Sequence, residues 1–467
     1  MSLPNHIFRE YDIRGIVGED LTQELTRLVG MSYAVLLHEA RDAEAGQGRA
    51  PANIPRIVVG GDNRPSSPGL VDALVEGLTL GGIDVLDLGT VPTPVTWWAE
   101  KTLEVDGAIQ VTGSHNPAEW NGIKMTRGGR SVYGDEVTRI RDRIAADDLT
   151  SGKPAGRRIS TPVLDRYVED VGGRFDLGKR IKVVVDCGNG TGAVVAERLL
   201  ERAGADVIPL FCESDGTFPN HHPDPTVDEN VVDLQRMVLE HGAHVGIGFD
   251  GDADRIGAVD DRGRIIRGDL LLLLYGLDVL RRRGPGQLLI FDVKCSQVLP
   301  EVYEAAGGRA IMWKTGHSLI KEKMRETGAP LGGELSGHIC FADEYLGFDD
   351  ALYDALRLLE LLDDGGPPLS ERMDAFPATV STPEIRIDVT EEAKVEVVER
   401  AVKHFSATRE VITVDGARIL FGDGWGLLRS SNTQPILVAR YEARTEERLE
   451  EIQGEVEGWL RTQGVDV

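Results

Sequence analysis

Lys182-Val-Val-Val-Asp186 runs into Cys187-Gly-Asn-Gly-Thr-Gly192, a β-branched strand pattern followed by a glycine-rich turn. Residues 193–202 carry helical spacing, Ala203-Gly204 breaks it, and Ala205-Asp-Val-Ile-Pro-Leu210 reads as the next strand. Strand, polar turn, helix, glycine, strand is a βαβ crossover, which implies parallel pairing with the helix packed on the sheet. The glycines at 188–192 lack the full spacing of a dinucleotide-binding turn, so they read as a tight βα turn.

The same order occurs twice more. Upstream, Arg56-Ile-Val-Val59 ends in Gly60-Gly61-Asp62-Asn63-Arg64, residues 69–80 are helical, Gly81-Gly82 stops them, and Ile83-Asp-Val-Leu-Asp-Leu88 is the strand. Downstream, Leu288-Leu-Ile-Phe-Asp292 leads through Val293-Lys-Cys-Ser296 to a helix ending near Glu304, then Gly307-Gly308 and Arg309-Ala-Ile-Met-Trp313. Three copies predict three similar α/β domains with mixed, largely parallel sheets. After Pro377 short strands and two helices alternate, which predicts a smaller C-terminal α+β domain. The expected divisions are 1–160, 161–262, 263–376 and 377–467.

Each copy supplies one further strand ending in a polar loop. Gly107-Ala-Ile-Gln-Val111 enters Thr112-Gly113-Ser114-His115-Asn116-Pro117. Val245-Gly-Ile-Gly-Phe249 enters Asp250-Gly-Asp252-Ala-Asp254-Arg255, and Ala329-Pro-Leu331 enters Gly332-Gly-Glu334-Leu-Ser336-Gly-His338. Ligands of open α/β sheets bind at the carboxyl ends of strands, so the expected architecture places these loops around a central cleft.

Ser114 at a strand end, beside a glycine and a histidine, has the setting of a presented nucleophile; a polar turn is the plainer alternative. Three aspartates within five residues repel unless a cation sits among them, and a solvated acidic turn is the alternative. An EF-hand is excluded, because Arg255 stands where its glycine belongs and Asp261 where its glutamate belongs. A hard divalent cation, Mg²⁺ first, fits an all-carboxylate set. Arg429-Ser430-Ser431-Asn432-Thr433 gathers donors for a phosphate. Glu334 and Ser336 suit paired sugar hydroxyls, and His338 can move a proton near neutral pH. Lys124, Lys294 and the Trp313-Lys314-Thr-Gly-His317 stretch add cations and donors in a chain where lysine is scarce. Pooled, these parts suit phosphoryl transfer on a phosphosugar, and no P-loop is present.

The 467 residues carry a net charge of −26, which disfavours nucleic acid and anionic membranes as partners. The greasiest run, 270–280, is too short to span a bilayer and reads as a buried helix. The four cysteines show neither a zinc pattern nor a disulfide framework, so reduced thiols in the cytoplasm are expected.

With these loops in family order and spacing, the chain resembles the α-D-phosphohexomutases along essentially its whole length. The Trp-Lys-Thr-Gly-His and Asp-Val-Lys-Cys stretches look most like the bacterial phosphomannomutase/phosphoglucomutase branch. Ala253 stands where the family usually has glycine, and Leu335 where it often has methionine. The resemblance implies Ser114 as a phosphoserine, and Mg²⁺ held by Asp250, Asp252 and Asp254 with a phosphoryl oxygen on Ser114. It implies Glu334 and Ser336 as sugar ligands, and Arg429, Ser431, Asn432 and Thr433 as a clamp on the unreacting phosphate. Tyr11, Arg14, His115, Lys124, Arg255, Lys294, His317 and His338 would line the cleft, with Lys124 and His338 as acid/base candidates. The implied reaction moves phosphate between the 1- and 6-positions of mannose or glucose phosphate through a hexose 1,6-bisphosphate. A monomer or weak dimer is expected. Phosphoglucosamine mutase is the close alternative, and a metal-dependent phosphomonoester hydrolase the more distant one.

Overall fold

The computed structural model describes residues 3–45, 54–178, 181–431 and 436–467. The chain forms two compact units: residues up to Arg267 with Gly337–Leu369, and Gly268–Ser336 with Ser370–Val467.

The first unit holds two of the three repeats. In the first, the strands run in the order Ile13–Ile16, Trp120–Arg127, Gly107–Val111, Arg56–Gly61, Asp84–Thr90, Arg158–Ser160. The crossover pairs Arg56–Gly61 with Asp84–Thr90 in parallel, and Gly107–Val111 joins the other side of Arg56–Gly61, also in parallel. All five residues of Gly107–Val111 are buried, as an apolar run between two neighbours should be. Helix Gln23–Ala45 packs on helix Ser67–Leu80 through Gly30 and Gly77. A Cβ at Gly77 would come within 2.0 Å of the Arg27 carbonyl oxygen, so any larger residue would push the helices apart.

The second sheet runs Ile265–Ile266, Ile256–Asp260, Val245–Phe249, Lys182–Asp186, Asp206–Leu210. Lys182–Asp186 is parallel to both Asp206–Leu210 and Val245–Phe249. The helix expected over 193–202 begins as a 3₁₀ turn, Thr191–Val194, and becomes α-helical over Ala196–Arg202. In both sheets the motif-bearing strand also has an antiparallel neighbour, which makes the sheets mixed.

The second unit contains the third repeat. Leu288–Asp292 lies parallel to Arg309–Trp313 and to Leu331–Gly333. The 270–280 run lies in helix Gly268–Arg283, with most of its apolar side chains buried. The tail is an antiparallel sheet of Val380–Ser381, Ile436–Ala443, Gly424–Ser430, Ala417–Leu420 and Val411–Ile412, with Ile385–Asp388 also on Ile436–Ala443. Helices Glu391–Phe405 and Glu446–Thr462 cover it around Phe405, Leu437, Ile452 and Val456. Among the described residues no helix is long and apolar enough to cross a membrane.

Candidate active site

The 112–117 loop continues the buried Gly107–Val111 strand. Ser114 has φ 51°, a left-handed conformation rare outside glycine, and is almost fully buried. Strain of this kind persists only where neighbours enforce it. Here the Ser114 N–H donates to Thr112 Oγ1 at 2.9 Å and the Gly113 N–H to Asp62 Oδ2 at 3.0 Å. The fully buried Arg64 guanidinium donates to the carbonyl oxygens of Ser114 (2.8 Å), Asn116 (2.6 Å) and Pro117 (2.5 Å), and to Asp62. The loop is thus a fixed cradle, and the Ser114 hydroxyl is its product. That hydroxyl donates to Asp250 Oδ2 at 3.1 Å and lies 3.1 Å from His115 Nδ1.

Asp250, Asp252 and Asp254 form a tight turn, with Ala253 at φ 57°. Asp250 Oδ1 accepts the N–H groups of Asp254 and Arg255 at 3.1 and 3.2 Å, which leaves Oδ2 for Ser114. Thr191 N–H donates to the Gly251 carbonyl at 2.8 Å, and Asn63 donates to the Asn189 carbonyl at 2.7 Å, so the turn loops of the two repeats brace the acidic loop. All three carboxylates are fully buried. Burial, then repulsion from Asp252 and Asp254, pushes Asp250 well above the ordinary carboxylate range. Burial also opposes the charge of Asp252, but the Lys124 ammonium outweighs it and holds Asp252 below that range. Lys124 donates to Asp252 Oδ2 at 2.8 Å and to Asp254 Oδ2 at 2.5 Å. Its own pKa goes up, because the two carboxylates more than offset its burial.

One lysine does not balance three carboxylates. Oδ1 of Asp252 and Oδ1 of Asp254 are buried without a hydrogen-bond partner, and the triad can offer one oxygen each within 4.8 Å of one another. Orphaned hard oxygens beside a serine hydroxyl fit a divalent cation.

Around this core, Arg14 pairs with Asp12 and donates to Asn116 Oδ1 at 3.0 Å. Its strand position faces Gly122, two residues from Lys124 on the next strand, so both cations share one sheet face. Tyr11 is partly buried just before it. Arg255 Nε–H donates to His338 Nε2 at 3.0 Å. That acceptance places the ring hydrogen on Nδ1, which lies 3.1 Å from Asp349 Oδ2. Burial and then the positive charges of Arg255 and Arg14 hold His115 well below the ordinary histidine range.

The second unit holds the remaining sequence candidates. Glu334 accepts the Gly316 N–H at 2.6 Å on one oxygen and the Ser336 hydroxyl at 3.1 Å on the other. His317 opens helix His317–Thr327, its Nδ1 lying 3.2 Å from Lys321 Nζ. Lys294 is buried and donates to Glu384 at 2.6 Å. Arg429 Nε donates to Asp415 at 3.0 Å, which leaves its terminal nitrogens for other acceptors, and Lys394 donates to the Ser431 carbonyl at 2.7 Å. Asn432 and Thr433 lie outside the described residues.

Four family models match in sequence: phosphoglucomutase/phosphomannomutase alpha/beta/alpha domains I, II and III over residues 5–151, 165–263 and 267–380, and the C-terminal domain over 384–458. The chain belongs to the phosphoglucomutase/phosphomannomutase family. A phosphomannomutase/phosphoglucomutase of Pseudomonas putida is 44% identical over 97% of this chain and 94% of its own length. A phosphoglucomutase of Neisseria gonorrhoeae is 42% identical over 97% and 96%. A crystal structure of a phosphoglucomutase/phosphomannomutase family protein from Burkholderia thailandensis matches with TM-score 0.89 and 40% identity, over 98% of both chains.

Within this family fold, several residues that hold the site carry little sequence signal. Asp62 and Arg64 build the Ser114 cradle, and an arginine at the end of a βα turn in so acidic a chain is the one visible hint. Thr93 donates to Asp252 through its hydroxyl, and Asp349 faces His338; neither stands in a recognisable pattern.

Proposed function

We propose that this chain is a phosphohexomutase that moves phosphate reversibly between the 1- and 6-positions of mannose or glucose phosphate. The observation that carries the reading is the Ser114 hydroxyl, 3.1 Å from Asp250 Oδ2 and beside two orphaned aspartate oxygens. Asp250, Asp252 and Asp254 would hold Mg²⁺, which neutralises charge developing on a phosphoryl group during transfer.

In the resting enzyme Ser114 Oγ carries a phosphoryl group. A hydroxyl of the hexose monophosphate attacks that phosphorus, the bond to Ser114 Oγ breaks, and the hydroxyl proton passes to a protein base. After the hexose 1,6-bisphosphate turns to the opposite orientation, Ser114 Oγ attacks its other phosphorus, the bond from that phosphorus to the sugar oxygen breaks, and the base returns its proton to the freed hydroxyl. Lys124, held charged by two carboxylates, suits the role of cation and remains a candidate acid/base group by position; His338, with Arg255 on Nε2 and Asp349 3.1 Å from Nδ1, is the candidate to exchange the proton. Arg14 and Arg255 add positive charge. Glu334, Ser336, Lys294 and His317 are the proposed sugar contacts, and Arg429, Ser431, Asn432 and Thr433 the proposed phosphate clamp. Four functional domains and cytoplasmic residence complete the reading.

The test is ³¹P NMR of mannose 1-phosphate and of glucose 1-phosphate, each with the protein, Mg²⁺ and a trace of hexose 1,6-bisphosphate. Growth of the 6-phosphate signal, lost in Ser114→Ala, is expected. Release of inorganic phosphate instead would make the chain a hydrolase and end the mutase reading.

A further inference from the structure

Cys187 and Cys212 are 25 residues apart in sequence, yet their sulfur atoms lie 3.2 Å from each other. Topology brings them together. Cys187 follows strand Lys182–Asp186, Cys212 lies just beyond strand Asp206–Leu210, and those strands are parallel neighbours with Asp186 opposite Leu210. The segments are laced by the Cys187 N–H to the Leu210 carbonyl at 3.2 Å and the Asn189 N–H to the Phe211 carbonyl at 2.9 Å. Closure to a bonded pair needs roughly 1 Å of further approach. Cys187 is completely buried, whereas Cys212 is partly exposed. One thiol is therefore accessible to a reagent, and the other waits behind it.

Cys187 also begins the turn that braces the acidic loop. Its carbonyl accepts the Gly190 N–H at 2.7 Å, and the next residue, Thr191, holds the Gly251 carbonyl. A Cβ at Gly190 would meet the Gly251 oxygen at 2.8 Å, so this turn has no slack to absorb a movement of Cys187.

We propose that Cys187 and Cys212 are a redox-active pair, closed to an intrachain disulfide by small-molecule disulfides, and that closure shifts the seat of the Asp250–Asp254 loop. Cys212 sulfur attacks one sulfur of the reagent disulfide; the reagent's S–S bond breaks and one reagent thiol leaves with the Cys212 proton. Cys187 sulfur then attacks Cys212 Sγ, the mixed disulfide breaks, and the second reagent thiol leaves with the Cys187 proton. Two protein thiols are oxidised and one reagent disulfide is reduced to two thiols. The hydrogen bond with Cys187 lowers the Cys212 pKa, against the effect of its burial, which favours the attacking thiolate. Cys295 and Cys340 are buried and serve as internal controls.

The experiment incubates the full-length protein with glutathione disulfide and reads intact mass, thiol content and a peptide map. The expected result is loss of two hydrogens, a fall from four titratable thiols to two, and a peptide joining 187 to 212, all reversed by dithiothreitol. In Cys187→Ser, glutathione should stay attached to Cys212. Four thiols remaining, or a stable glutathione adduct on the unaltered chain, would overturn the pair. The coupling to the acidic loop rests on the mutase reading and is tested separately: oxidation should slow hexose phosphate isomerisation roughly tenfold, reversibly, and not in Cys212→Ser. A closed disulfide with an unchanged rate would overturn the coupling and leave the pair standing. Absence of isomerisation in the reduced protein would count against the mutase reading alone.

Discussion

Gly251 and Ser114 meet backbone to backbone: a Cβ at position 251 would lie 2.3 Å from the Ser114 carbonyl oxygen and 3.2 Å from its carbonyl carbon. The acidic loop and the serine loop are therefore seated directly on each other. Gly251→Ala must displace one of them. A displacement on the order of 1 Å costs about 100-fold in rate, so the isomerisation rate should fall by about that factor while the fold persists. Steady-state kinetics beside circular dichroism checks this, and wild-type rates would reject it.

Arg64 donates to the same carbonyl. Arg64→Ala removes the countercharge of the buried Asp62 and leaves the Ser114 and Asn116 carbonyls without their donor, a loss of about 3–5 kcal/mol. Arg64→Lys keeps the charge but cannot reproduce the planar fork. It should cost less stability than the alanine variant yet still slow the reaction. Denaturant titration and kinetics on both variants separate the two effects.

Asp350 gives a pH signature outside the acidic loop. It caps helix Ala351–Asp363 through the Tyr353 N–H, and burial pushes its carboxyl from 3.8 up to about 6, despite hydrogen bonds from Tyr345, Tyr353 N–H and Tyr167. The folded chain holds this proton more tightly than the unfolded chain. The stability it contributes is therefore full below pH 3.8 and declines as pH rises to about 6, by about 3 kcal/mol. Asp350→Asn cannot titrate. Relative to wild type, the variant should gain about that much unfolding free energy between about pH 4 and about pH 7. A difference that stays flat with pH would contradict the assignment.

A cation taken up by the orphaned oxygens of Asp252 and Asp254 would add to stability as well as to catalysis. Mg²⁺ at about 100 times its dissociation constant should stabilise the protein by about 2.7 kcal/mol, and a chelator should remove that gain. Asp254→Asn should lose most of the Mg²⁺-dependent rise in thermal midpoint. A rise of equal size in the variant would place the ion elsewhere.

The sequence made the repeats and motif loops legible because each rests on local chemistry. Apolar runs, glycine stops and clustered carboxylates can be recognised without knowing what they touch. Gly107–Val111 and Val245–Phe249 occupy the expected residues, and the Asp250–Asp254 loop between its strands adopts a tight turn. What remained hidden depends on contacts across long separations. Arg64 reaches a serine fifty positions on, and Asp349 comes within 3.1 Å of His338 Nδ1 from a stretch with no pattern of its own. Ala253 is a finer case. Its methyl group fits, but φ 57° imposes a cost of about 1–2 kcal/mol that glycine would not bear, a cost invisible without the backbone. The closeness of Cys187 and Cys212 likewise follows from parallel strand register, which no cysteine spacing announces.

The first unit is not a continuous stretch of chain: Gly337–Leu369 returns to it after the excursion through Gly268–Ser336. That returning segment carries His338, Asp349 and the helix cap Asp350, whose carboxylate accepts the Tyr167 hydroxyl at 2.9 Å. During synthesis the serine and aspartate loops therefore emerge from the ribosome long before the piece that completes their surroundings. The nascent protein must wait with part of its first unit unfinished until residue 369 has cleared the exit tunnel, so translation speed through that intervening stretch sets how long the incomplete body is exposed to chaperones and proteases.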